Sequence, residues 1–75
     1  MLYKDLKKTD KIKVEYGMYG NYITLTDVNI EKVGEHEFKM TGKHIYGDKV
    51  LETLEMYEFN YHAKTAEEVE VELEK

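Results

Sequence analysis

Two stretches of this chain alternate apolar and charged residues with a period of two. Near the start, Ile12, Val14 and Tyr16 alternate with Lys11, Lys13 and Glu15; at the end, Val69, Val71 and Leu73 alternate with Glu68, Glu70, Glu72 and Glu74. Successive side chains of a strand point to opposite faces, so each stretch reads as a strand with one face buried and one wet. The 75 residues include no cysteine, so these strands must share one small core without disulfides or thiolate metal sites. So small a core raises the expectation that stability or function involves another chain, a protein partner or a second copy.

Gly17, Gly20 and Asn21 break the first strand, and YITLTDVNIEKV resumes with a β-rich composition. Ile23 and Leu25 share one parity while Val28 and Ile30 share the other. A bulge or bend near Thr26 and Asp27 must therefore rotate the strand if all four are to face inward. The next strand repeats the problem, with Phe38 and Met40 on one parity and Ile45 on the other, and Gly42 is the expected place for a second bulge. Gly47-Asp48 suits a two-residue hairpin turn.

Residues 50 to 61 fit two periods: Val50, Leu54, Tyr57 and Tyr61 at helical spacing, and Tyr57, Phe59 and Tyr61 as a strand. The aromatic content of MYEFNYH favours the strand. The alternative is a helix at about 49-58 with Asp48 as its N-cap. Leu2, Tyr3 and Leu6 predict an N-terminal helix of about two turns, docked through its apolar face because it is too short to persist alone. Thr65 and Glu68 fit a one-turn capping box before the last strand.

The sum is one mainly β domain over residues 1–75: a small five-stranded antiparallel barrel or strongly bent sheet with a short N-terminal helix, or α+β on the alternative. This order of elements is similar to that of SH3-like and Sm-like barrels. Asp27-Val28-Asn29-Ile30 resembles the Asp and Asn that the Sm-like family places at the end of its second strand, near RNA. The spacing is one residue short, and the family's Arg-Gly pair has no counterpart in a chain without Arg. The resemblance therefore implies architecture alone.

Charge is unevenly spread. The net charge is −5, yet Lys4, Lys7, Lys8, Lys11 and Lys13 lead the chain and Glu52, Glu55, Glu58, Glu67, Glu68, Glu70, Glu72 and Glu74 dominate its end. The absence of Arg removes the usual bidentate reader of phosphate and guanine. The first residues, MLYKDLKK, are charged where a signal peptide needs an apolar run, so the expectation is a cytoplasmic protein without a membrane segment.

Chemistry-bearing residues are sparse. Glu35-His36-Glu37 and His44 are the densest ligand-type cluster, but alternation sends His36 to the face opposite the two carboxylates, so no metal or cofactor is expected. His62 lacks a Ser or Cys nucleophile anywhere in the chain, and the expectation is a protein that is not an enzyme. What remains is surface. Tyr19, Tyr22, Tyr57 and Tyr61, with the acidic Glu68, Glu70, Glu72 and Glu74, read as a partner-binding surface, with Tyr19 at a loop tip as the single best anchor.

The expected function is thus an acidic adaptor or inhibitor, compact and charged like many small proteins of phages and mobile elements. Two other readings stand beside it. One is a nucleic-acid-binding barrel using the five N-terminal lysines and tyrosine stacking. The other is a small-ligand binder using the space inside a half-open barrel.

Overall fold

The computed structural model describes residues 1–17 and 20–74. Five strands form one antiparallel sheet: β1 (Ile12–Glu15), β2 (Tyr22–Lys32), β3 (Glu37–Tyr46), β4 (Lys49–Phe59) and β5 (Glu72–Leu73). Their order is β4-β3-β2-β1-β5, so β4 and β5 are the two edges and the sheet does not close into a barrel. The expected mainly β architecture is present, and of the two forms expected, barrel or bent sheet, it is not the closed barrel, because β5 pairs with β1 over two residues and is not joined to β4 among the described residues.

The parity change in β2 is met as its apolar pattern requires. Thr26 pairs with Lys43 and Asn29 with Thr41, so Asp27 and Val28 together oppose Gly42. Asp27 takes a φ of 54°, the left-handed region that a short polar side chain tolerates better than a branched one. The inserted residue turns the strand, and Leu25, Val28 and Ile30 all reach the core.

Gly42 has a different part from the one expected of it. It is not itself bulged; it leaves room for the bulge on β2. A Cβ built there would lie 3.2 Å from Leu25 Cβ and 3.3 Å from Val28 Cγ2. The second shift lies further on, between His44 and Ile45, where Leu51 of β4 is the extra residue. With no extra residue in β3 itself, Ile45 keeps the parity opposite to Phe38 and Met40 and sits beside Thr24 and Val50, outside the main core cluster.

The β3–β4 turn is as tight as predicted, with Tyr46 paired to Lys49 and Gly47 at a φ of 64°. A positive φ at the first turn position alone is the II′ pattern that matches strand twist. β4 then runs unbroken over the stretch where a helix was the alternative, and it pairs with β3 along its length.

The core is a single cluster on the concave face of the sheet. Ile12, Leu25, Val28, Ile30, Phe38 and Met40 meet Ala63, Val69 and Val71 from the C-terminal segment, with Tyr3 and Leu6 packed on the outside. The N-terminal helix of about two turns is cut to a single 3₁₀ turn, Tyr3–Asp5. Extended backbone replaces the rest because residues 1–3 have better partners: Tyr3 N–H donates to the Val69 carbonyl at 2.8 Å and Val71 N–H to the Met1 carbonyl at 2.8 Å. The same contacts divide the expected last strand. Residues 69–71 pair with the chain start, and Leu2 bridges Glu70; only Glu72 and Leu73 pair with β1. Leu73 pairs with Ile12 and so shares the predicted core-facing side, but at the sheet edge it is still 37% exposed.

Before it, Ala66–Glu68 forms one 3₁₀ turn. The capping box is not made: Thr65 Oγ1 reaches the Glu68 carboxylate at 3.4 Å in place of a backbone N–H.

Leu25 is fully buried beside the bulge, and Leu25→Ala should cost about 3 kcal/mol in urea unfolding, the usual loss for a buried Leu truncation. Gly42→Ala forces Leu25 and Val28 apart and should cost about 1 kcal/mol net, after the entropic gain of Ala over Gly in the unfolded chain.

Candidate functional site

The concave face of a bent sheet holds the core, so function must lie on the convex face, at the edges or in the opening between them. β1 and β4 are separated by two strands in the sheet order, yet both line one cleft of ≈ 690 Å³. The sheet is therefore curled enough to bring its far side back towards its near side without closing.

One wall of the cleft is β1 and its exit, Lys13 through Gly17; the other is Met56, Tyr57 and Glu58 of β4. Glu70, Val71 and Glu72 lie along it, with Met40 behind. Aliphatic and aromatic side chains are thus ringed by Glu15, Glu58, Glu70 and Glu72, with Lys13 as the cation among them. Lys13 Nζ also stands 4.6 Å from the centre of the Tyr22 ring, a contact that holds cation and ring together on the sheet surface.

The sequence-predicted residues divide. Tyr22, Tyr57, Glu70 and Glu72 meet at this cleft. Glu68 and Glu74 do not: Glu68 borders a recess with Asn60 and His62, and the Glu74 carboxylate accepts a 2.6 Å hydrogen bond from Thr24 Oγ1. The C-terminal glutamates are exposed but form no straight row, because the strand expected to align them is mostly not a strand. Tyr19, the expected anchor, lies outside the described residues. Tyr16 was expected to point inward but is 45% exposed: β1 ends at Glu15, and the Tyr16 N–H turns to the Asn21 carbonyl at 2.8 Å.

A second feature adjoins the cleft. Tyr57 and Phe59 project from the convex face of β4 opposite Lys39 and Glu37, and Tyr61 follows. Phe59 and Tyr61 rings are nearly parallel, with centres 6.4 Å apart, and the His36 ring lies 4.8 Å from Tyr61. Phe59 and Tyr61 are 65% and 71% exposed, so this is an aromatic surface that no part of the chain covers among the described residues. Tyr57 and Tyr61 are among the residues expected at the surface from the sequence, and Phe59, of the same parity, joins them there.

Tyr57 donates its hydroxyl to Glu55 Oε1 at 2.8 Å, two residues back on the same face. This hydrogen bond, and then the charge of Glu55, favour the protonated phenol and raise its pKa above the ordinary tyrosine value, with smaller help from desolvation, Glu37 and Glu31.

The other candidates are structural or dispersed. His36 touches Glu35 at 3.9 Å and leans on Tyr61; its buried Nδ1 has no partner among the described residues. Among the described residues no three His, Cys, Asp or Glu side chains are grouped to hold a metal ion. Asn60 Oδ1 accepts from the N–H groups of His62 and Ala63, which fixes the turn and leaves the imidazole exposed.

The five N-terminal lysines also disperse. Lys8 pairs with Asp27 at 3.8 Å, Lys13 lies over Tyr22, and Lys4, Lys7 and Lys11 are exposed on the 3₁₀ turn and the chain leading to β1. No helix among the described residues is long and apolar enough to cross a membrane. No family model, no curated protein and no solved structure matches the chain.

Replacing Glu55 by Ala should bring the Tyr57 pKa down towards the ordinary tyrosine value, read by NMR titration of the ring carbons. An unchanged titration would show that the Glu55 contact is not made in solution.

Proposed function

We propose that this chain is a non-catalytic protein-interaction module, a small acidic adaptor or inhibitor that binds a protein partner through β4 and the residues that follow it. The observation that carries this reading is the exposed aromatic group Tyr57, Phe59 and Tyr61 on a surface flanked by glutamates. Aromatic side chains bring large contact area at low entropic cost, and in interfaces they are the usual energetic anchors. A chain this small has little core to spare, yet three rings contribute little of their apolar area to it, and a contiguous exposed apolar patch of this kind marks an interaction surface. The carboxylates around the cleft supply steering for a basic partner surface and make association sensitive to salt.

Phe59→Ala and Tyr61→Ala remove contact area without opening the core. The melting temperature should stay within about 4 °C of wild type, since exposed substitutions seldom exceed half a kilocalorie. Capture of partner proteins from a lysate of the source organism should fall about tenfold or more, as for interface anchors. A large loss of melting temperature with unaltered capture would make the rings part of the fold and not the interface.

A further inference from the structure

The two edges of the sheet are built differently. β5, on one side, has only 2 residues, and edge strands this short are a common protection against unwanted pairing. β4, on the other, has 11 residues, contains no proline and carries its single lysine at its first position. Beyond the extra residue Leu51, Glu52–Phe59 stay in regular register with β3. Nothing among the described residues pairs with its outward side. A strand in this position presents a row of backbone N–H and C=O groups, and Val50, Leu51, Tyr57 and Phe59 beside that row are all at least half exposed.

Resting on the interaction-module reading, we propose that the outward edge of β4 is a docking site for an extended, basic segment of a protein partner, which adds to the sheet as one further strand. Charge selects this occupant over a second copy. Pairing β4 with β4 of another molecule would place Glu52, Glu55 and Glu58 of each strand near the same residues of the other, joining two chains of net charge −5. Like charges across neighbouring strands oppose pairing. A strand bearing Lys or Arg meets the opposite situation.

The alternation of β4 defines what that strand should look like. Glu58 pairs across β3 with buried Phe38, so it belongs to the concave side, where Glu70 and Glu72 line the cleft. Tyr57 and Phe59 belong to the convex side. An added strand therefore places one parity over the carboxylates of the cleft and the other beside the rings. Lysine or arginine at every second position, with aliphatic residues between, satisfies both.

The test uses a synthetic peptide of about eight residues, near the usual strand length, alternating Lys and Val. Its controls are a scrambled isomer and a form N-methylated along the backbone, which keeps the charge and cannot complete a ladder. Binding is followed by fluorescence anisotropy at low salt and by hydrogen exchange. The expected result is binding at least about tenfold tighter than that of either control, slowed exchange across residues 52–59, and a loss of about tenfold on Glu58→Lys.

Equal binding of the methylated peptide would overturn the proposal in favour of charge alone. Light scattering that shows a dimer with β4 amides already protected would overturn it in favour of self-pairing. If strand addition fails while Phe59→Ala and Tyr61→Ala still abolish partner capture, the module reading stands without it; if capture is also unaffected, both fall.

Discussion

The bulge at Asp27 and Val28 is what lets a single small core form in this chain. Without the extra residue, Ile23 and Leu25 would point to one side of β2 and Val28 and Ile30 to the other, and no single core could use all four. With it, Leu25, Val28 and Ile30 enter one cluster, and the strand bends where it turns. Gly42 makes this possible from the neighbouring strand by withholding a side chain where Leu25 and Val28 come closest. Lys8 and Lys43, at 3.8 Å and 3.5 Å from the Asp27 carboxylate, add a modest electrostatic tie at an exposed site.

From the bend follows the shape of the surface. A curled but open sheet has a cleft between its two halves and two edges, and the C-terminal segment lines the cleft only with residues 70–72. The terminal segments are occupied elsewhere, pairing Met1–Tyr3 with Val69–Val71 over the core. What they leave uncovered is the outward edge of β4 and the side of it that bears Tyr57 and Phe59, while Leu54 and Met56 pack against the core. Fold and candidate interface are thus two results of one packing: the core closes over Ile12, Leu25, Val28, Ile30, Val69 and Val71 and leaves Tyr57, Phe59, Val50 and Leu51 of β4 outside.

Local pattern made much of this legible. The period-two alternation at Ile12 and Val14, the two parities within β2 and the Gly47-Asp48 turn each carry their meaning within a few residues, because side-chain direction and turn geometry are local properties of the backbone. The site was less legible. Tyr57 and Tyr61 were identifiable as surface candidates, but Phe59 reads as core by composition. Its exposure follows from β4 being an edge strand with no layer packed on the side that bears Phe59 among the described residues. The C-terminal glutamates read as one row, yet Tyr3 and Met1 capture the backbone of residues 69–71, and Glu68, Glu70, Glu72 and Glu74 end in different surroundings.

Periodicity and turn chemistry alone fix the mainly β class, the hairpin turn at Gly47-Asp48, the need for a bulge in β2, and the division of charge between a basic start and an acidic end. These follow from periodicity and from residues with fixed conformational preferences. The tertiary structure decided that the sheet stays open, that β4 is its bare edge, and that Tyr22, Tyr57, Glu70 and Glu72 share a cleft with β1. Those outcomes depend on which distant segments compete for the same backbone hydrogen bonds and the same apolar face. Such competition is settled between residues about seventy positions apart, as Met1 and Val71 are, and no local pattern records it.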